Sequence, residues 1–383
     1  MSQGGPLAGV RVIELGVWVA GPACAGVLAD WGAEVIKVEP PAGDPQRNIF
    51  GALGQSDQAA VPPFEIDNRG KKSVVIDLQS DEGKAKMHEL LATADAFVTN
   101  VRLAALARLG LDPASVRAAN PRLVYGIITG YGLEGPDAHR PGYDIGGYWA
   151  RSGLAHTLVP PGANPPPNRS GQGDHVTGMS LVAGVSAALF DAQRTGKGRL
   201  VSTSLLRNGM YNIGWDIGIQ LRFGKRESTR PRENGRAPLM LNYFAGDGRA
   251  FWMLALEGDR HWPALVAAVD SDRLRVDHFA TAKLRLANNT ELIATLDELF
   301  AERPMDEWAA KFDQHDVWWA PLNTIPEVIV DPQARASGAF VPMSPRDGEE
   351  PYEAVNNPVD FDGYTLRPGP VPRLGEHTND YIG

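Results

Sequence analysis

Over the first third of the chain, apolar residues fall in short dense runs separated by amphipathic stretches. Val10-Arg-Val-Ile-Glu-Leu15, Glu34-Val-Ile-Lys-Val38, Ser73-Val-Val-Ile-Asp77, Ala96-Phe-Val-Thr99 and Leu123-Val-Tyr-Gly-Ile-Ile128 are brief and β-branched, and they predict strands. Helical spacing lies between several of them, as in Pro22 to Trp31 and Asp81 to Ala94. Strands alternating with helices predict a mostly parallel sheet. Helical patterns follow at 144–156, 175–194 and 205–223, the first two separated by the proline-rich Val159-Pro-Pro-Gly-Ala-Asn-Pro-Pro-Pro. After a charged stretch at 224–236, runs at 239–244 and 250–256 flank Gly246-Asp-Gly248 and predict a hairpin. Helices at 259–269, 289–302 and 304–314 complete a second, smaller α+β unit, and beyond about 325 the chain is irregular. The expected division is a large α/β domain over 1–200, a linker helix and loop over 201–235, a small domain over 236–325 and a C-terminal return over 326–383.

The loop from Pro40 to Asn68 is long enough to carry function. With 383 residues the chain can bury a large core, and a formal charge of −9 without any basic, aromatic-rich cluster argues against nucleic acid as the partner. Cys24 is the single cysteine, which excludes an intrachain disulfide and a cysteine-built zinc site. The histidines show no metal-ligand spacing, so no metal is expected. The first residues lack a leader pattern and no run reads as apolar for long enough to span a bilayer; a cytoplasmic protein is expected.

The first chemical test of a parallel sheet is a phosphate-cradling loop. Gly16-Val-Trp-Val-Ala-Gly21-Pro22-Ala-Cys24-Ala-Gly26 follows the first strand but lacks the dinucleotide fingerprint and the phosphate-loop lysine, which speaks against an NAD-dependent enzyme. Pro22 suits a first helical turn, so residues 17–20 expose main chain at a strand's carboxyl end, where open α/β sheets bind ligands. Lys37, Arg47, Arg69, Lys71, Lys72, Arg102, Arg108 and Arg140 punctuate the connections and are candidates to hold phosphates, or are solvated surface charge.

In Gly171-Gln-Gly-Asp174-His175-Val-Thr-Gly178, a carboxylate sits on a glycine-flanked turn before a long apolar helix. Asp174 reads either as a helix cap or as a nucleophile kept ionised by the helix N-terminus and approached through the glycines. Asp144 and Tyr143, in Arg140-Pro-Gly-Tyr-Asp-Ile, leave the same choice open between capping or packing and a place in a site.

Taken in order, Pro6-Leu-Ala-Gly-Val-Arg-Val-Ile-Glu-Leu, Ala20-Gly-Pro-Ala-Cys, Asp30-Trp-Gly-Ala-Glu-Val-Ile-Lys-Val-Glu-Pro-Pro, Asn68-Arg-Gly-Lys-Lys-Ser-Val, Pro141-Gly-Tyr-Asp, Gly173-Asp174, Thr195-Gly-Lys-Gly and Leu374-Gly-Glu-His-Thr form an ordered set spanning nearly the whole chain. The chain resembles the family III CoA-transferases, the formyl-CoA and carnitine CoA-transferases and the related 2-methylacyl-CoA racemases. The resemblance implies a Rossmann-like large domain built from both ends of the chain, a small domain between, and a homodimer of interlocked rings. It implies that Asp174 attacks an acyl-CoA thioester, with Asp144, Tyr143 and His175 in support. Coenzyme A or acyl-CoA is then a substrate, exchanged with a carboxylic acid, and no tightly bound cofactor is expected. CoA contacts carried over by the resemblance fall on Val17, Trp18, Val19, Ala20, Ile76, Asn100 and Val101, with Arg108 reaching the phosphates and Arg102 among the nearby cations.

Racemases of this kind place a histidine where this chain has Tyr143, and a tyrosine with an ordinary pKa of about 10 is a poor proton shuttle at neutral pH. Transfer is therefore expected over racemisation or epimerisation, with a catalytically silent acyl-CoA-binding relative as the third reading. Val19 stands where formyl-CoA transferases carry glutamine, and no run of glycines occurs around 224–240, so formyl transfer to oxalate is not expected.

Overall fold

The computed structural model describes residues 4–54, 60–225, 229–346 and 350–382. It divides into two units, one of residues 1–156, 165–226 and 336–383 and another of 157–164 and 227–335. The boundaries differ from those expected. Residues 200–223 are a strand and two helices of the larger unit, not a linker, and the chain re-enters that unit at 336 rather than 326. The stretch 157–164 groups with the smaller unit, which the sequence did not signal.

In the larger unit the chain runs through β1 (Arg11–Leu15), α1 (Ala20–Asp30), β2 (Glu34–Glu39), α2 (Pro62–Asn68), β3 (Lys72–Val75), α3 (Asp81–Ala92), β4 (Ala96–Thr99), α4 (Leu103–Arg108), α5 (Pro113–Ala119) and β5 (Val124–Thr129). A π-helical stretch at Ile145–Arg151 precedes α6 (Gln172–Thr195), β6 (Leu200–Ser204), α7 (Leu205–Asn212) and α8 (Gly214–Phe223). The six strands lie in the order β3-β2-β1-β4-β5-β6, all parallel. That order reverses direction between β1 and β4, so a crevice opens outside their carboxyl ends, where sheets of this kind bind ligands.

Alternate residues of the strands feed opposite cores. Val12, Val35 and Val98 pack under α1 and α6, while Ile13, Ile36 and Phe97 pack under α3 and α5. Helix α6 is long and apolar enough by composition to cross a membrane, contrary to the expectation that no segment is. Its Leu181, Val182, Val185 and Leu189 instead fill the first core. Gly178 allows the approach of α6 to α1, since a Cβ there would lie 3.1 Å from the carbonyl oxygen of Ala20.

At the carboxyl end of the sheet the core turns ionic. Lys37 donates to Glu14 at 2.8 Å, to Asp44 at 2.9 Å and to the Gly16 carbonyl at 3.2 Å. Lys71 donates to the other Glu14 oxygen at 2.6 Å, to the Pro22 carbonyl and to Asn68. Lys37, Lys71 and Glu14 are fully buried. Burial alone would push Glu14 up, but the two ammonium groups outweigh it and hold its carboxyl below the usual range. Arg69 grips Asp30, and Arg47 grips Glu39. These four cations are therefore structural, which corrects both readings of them, as phosphate ligands and as solvated surface charge.

The C-terminal segment lies against the β2–β3 side of the sheet. Tyr364 donates to the Asp30 carbonyl, Tyr381 to Glu34, and the His377 amide to the Ser73 carbonyl. A short β10–β11 pair (Phe340–Pro342, Glu353–Val355) belongs to it.

The smaller unit contains β7 (Asn242–Phe244), β8 (Ala250–Met253) and β9 (Trp319–Pro321) in one antiparallel sheet. Helices α9 (Gly258–Val269), α10 (Asn289–Phe300) and α11 (Met305–Gln314) share with it an aromatic core of Tyr243, Phe251, Phe300, Trp308 and Phe312.

Lys37→Met would leave Glu14 and Asp44 buried without their common cation, and it should lower the unfolding free energy by about 3–5 kcal/mol. Arg11→Met, which breaks a half-exposed pair with Glu34, should cost under about 1 kcal/mol. Urea titration of both variants against the parent checks the contrast.

Candidate active site

The loop after β1 is held by side chains from three neighbouring segments. Asn100, just past β4, accepts from the Val17 amide at 3.0 Å and donates to the Val17 carbonyl at 2.8 Å. One side chain thus ties the loops on either side of the crevice. Asp44 accepts from the Trp18 amide at 3.1 Å with one oxygen and from Lys37 with the other. Trp18 has φ of 62°, a left-handed backbone that costs a bulky residue about 1–3 kcal/mol and persists where surroundings enforce it. Here Asn100, Asp44 and Lys37 do so.

Helix α6 runs antiparallel to the strands, so its N-terminus comes to the same carboxyl edge. Gly171 is the N-cap residue and Asp174 sits in the first turn. Asp174 is therefore not the cap that one reading of the sequence made it. Gly173 has a packing role rather than one of ligand access, because a Cβ there would fall 2.5 Å from the ring of buried Tyr148. A Cβ on Gly171 would lie 3.6 Å from Cγ1 of Val19, which places the loop after β1 beside the start of α6.

Asp144 does not cap its own helix. Its Oδ2 accepts from the Gly173 amide at 3.2 Å and from Asn168 at 2.9 Å, so it satisfies a first-turn donor of α6, one residue from Asp174. Tyr143 is exposed and meets Trp18 edge-to-face with ring centroids 6.3 Å apart. His175 reaches the other way, its Nε2 lying 3.0 Å from Oδ1 of buried Asp67 at the end of α2. Asp67 and His175 also line an apolar cavity of about 290 Å³ with Ala23, Val27, Met179 and Val355.

Burial pushes the Asp174 carboxyl up, Asp144 adds to the rise, and its pKa stands at about 7 despite the opposing pull of His175. The expectation that the helix N-terminus keeps it ionised at neutral pH is overturned: the dipole favours the anion, but desolvation and a second carboxylate outweigh it. At pH 7 the group is divided between acid and anion. Cys24 offers no competing nucleophile, being buried in the core with its thiol pushed up by desolvation.

The structure brings together Val17, Trp18, Val19 and Ala20 with Asn100, Val101 and Arg102 across the crevice, and Tyr143, Asp144, Asp174 and His175 beside them. Arg102 and Arg108 are exposed at the two ends of α4. Ile76 is different: its side chain is buried in the core with Ile36 and Val38. Asp67, Asn168, Asp44 and the clamping role of Asn100 were not read from the sequence. Only the unusual length of the 40–68 loop signalled two of them.

The model of CoA-transferase family III matches residues 7–378. The chain belongs to that family. It is 34% identical to (R)-2-hydroxy-4-methylpentanoate CoA-transferase of Clostridioides difficile, over 98% of this chain and 94% of that protein. It is 33% identical to cinnamoyl-CoA:phenyllactate CoA-transferase of Clostridium sporogenes, over 98% and 92%. The crystal structure of a CAIB/BAIF family protein from Brucella suis superposes with a TM-score of 0.85 at 30% identity, covering 99% of this chain and 98% of that one. The chain is an enzyme of the family III CoA-transferases, acting on CoA thioesters, and this accords with the site at the sheet's switch point.

A raised Asp174 pKa has a thermodynamic signature. Between an unfolded value near 4 and about 7, the folded protein binds the extra proton, so this group's contribution to stability falls as pH rises through that window. Asp174→Asn should therefore exceed the parent in stability at pH 8, with the gap closing towards pH 4. Urea midpoints at both pH values check it.

Proposed function

We propose that Asp174 is the covalent nucleophile of CoA exchange between an acyl-CoA donor and a carboxylic acid acceptor. The observation that carries the reading is the position of Asp174: a partly exposed carboxylate in the first turn of α6, beside Val19 of the loop that the rest of the sheet edge holds in place. In its ionised form it attacks the thioester carbonyl carbon; the C–S bond breaks, CoA leaves as thiolate, and an acyl-aspartyl anhydride remains. The thiolate then attacks the aspartyl carbonyl and expels the donor carboxylate, giving an aspartyl-CoA thioester. An acceptor carboxylate displaces the thiolate to form a second anhydride, and thiolate attack on the acceptor acyl carbon yields the new thioester and free Asp174. The Ala20 and Gly21 amides at the start of α1, ahead of the first intrahelical bond, are suited to the oxyanions.

In this reading CoA lies along the carboxyl edge, its adenine end against residues 17–20 and Asn100–Val101, with Arg102 and Arg108 near the phosphates. Ile76 contributes main chain only. Asp144 orients the first turn of α6, and no tightly bound cofactor is needed. The apolar wall of Trp18, Val19 and Tyr143 supports an acceptor with an apolar tail, and the names of the two relatives above support a 2-hydroxy acid. Tyr143 supports transfer over racemisation or epimerisation, and Asp174 supports an enzyme over a silent binder.

The protein acts as a homodimer of interlocked rings. Support comes from α8, in which no residue is buried although it carries Trp215, Leu221 and Phe223; Trp215 is 84% exposed. An acidic chain with one buried cysteine supports a cytoplasmic location.

Incubation with acyl-CoA and no acceptor, followed by hydroxylamine, should place a hydroxamate on Asp174, found by peptide mapping. Asp174→Asn should lose exchange by about 10³-fold or more while retaining CoA binding. Undiminished exchange by that variant would remove the mechanism. Light scattering at micromolar concentration should give twice the chain mass of 41.3 kDa, and an active monomer would refute the dimer.

A further inference from the structure

We infer that Asp67 and His175 form a positioning pair for Asp174: buried Asp67 holds the imidazole of His175 as a cation against the first turn of α6, and that cation favours the attacking anion of Asp174 over its acid. The inference rests on the reading of Asp174 as the nucleophile. Two further carboxylates, Asp144 and Asp67, both push the Asp174 carboxyl up at the start of this helix. Carboxylates crowded into a partly dry site drive one of their number to take a proton, and a protonated Asp174 cannot attack. Some cation must offset them.

Two buried cations beside the pair, Arg69 and Lys71, are committed elsewhere, and Arg169, just ahead of α6, is exposed. Arg69, at the end of α2, spends Nε and Nη2 on Asp30 of α1 at 3.0 and 2.6 Å, and Nη1 on the Val355 carbonyl. Lys71 is held by Glu14, Asn68 and the Pro22 carbonyl. Asn356 and Asn357, which border the cavity from the C-terminal segment, are neutral. Among the described residues it is His175, half-exposed, that meets Asp67, at 3.0 Å, and stands next to Asp174 in sequence.

Asp67 is suited to hold a charge rather than a fold. It is 2% exposed, and its Oδ2 has no hydrogen-bond partner among the described residues, so its negative charge is not spent on another donor. Burial pushes His175 down, but Asp67 and Asp174 outweigh it and hold the imidazole above its ordinary value. A tie serving only to join α2 to α6 would not need a titratable group.

The pH profile of kcat/KM tests this. His175→Gln keeps a donor for Asp67 but no charge. Its acid limb should move up by about one pH unit, so the ratio of activity at pH 6 to that at pH 8.5 should fall about tenfold. His175→Lys should return the limb towards the parent, and adding Asp67→Asn to His175→Gln should lower it again by removing the stranded carboxylate. Where His175→Gln does not fold, His175→Asn serves the same comparison. An unmoved limb in a folded charge-removing variant overturns the pair's role. Hydroxamate formation at Asp174 in the parent separates the two readings: with labelling present and the limb unmoved, only this inference falls; with labelling absent, the nucleophile falls with it.

Discussion

Lys37 is the residue on which the arrangement of the larger unit turns. A lysine without exposure at the carboxyl end of a sheet would be untenable alone, and it is tolerated because Glu14 from β1 and Asp44 from the following connection both reach it. The same Asp44 carboxylate fixes the Trp18 amide, and the same Glu14 carboxylate fixes Lys71, which in turn holds the Pro22 carbonyl. Two sides of the loop after β1 are thereby nailed to one buried cluster. An apolar core of equal volume would stabilise the sheet at least as well, but it would not specify the path of residues 16–22. The ionic cluster is spent on geometry.

The start of α6 shows the opposite economy. There the charges are of one sign, and the helix N-terminus, the Asn168 amide and His175 only partly offset them. In the proposed mechanism, a nucleophile poised near neutrality is a compromise between an anion that attacks and a half-buried carboxyl that resists ionisation. The loop after β1 is stiff where substrate would lie, and α6 is electrostatically soft where chemistry would occur.

Much of this was legible in the sequence. Five of the six strands of the larger sheet announced themselves as β-branched runs, and the sixth, Leu200–Ser204, did not, because Ser-Thr-Ser carries no apolar signal on an edge with one covered face. Asp174 was visible because its neighbours are glycines, but its ionisation state was not, since that depends on Asp144, 30 residues upstream, and on burial. Lys37, Arg47, Arg69 and Lys71 read as surface charge or phosphate ligands because composition cannot reveal that each has a buried carboxylate waiting for it. Asp67 had no signal beyond the length of the 40–68 stretch, which read as loop and folds in part as α2.

The way the last residues close the sheet has a consequence for biosynthesis. Strand β3 is an edge, and its exposed hydrogen-bonding groups are taken by the end of the chain: the His377 amide on the Ser73 carbonyl, the Gly375 amide on the Ser73 hydroxyl, and the Val75 amide on Thr378. These partners are separated by some three hundred residues. A nascent chain therefore displays an open parallel edge until residues 375–378 have emerged, and a chain that stops short of Thr378 leaves that edge available to a neighbour. Protection of this edge from edge-to-edge association therefore waits on residues 375–378, far along the chain from the strand they cover.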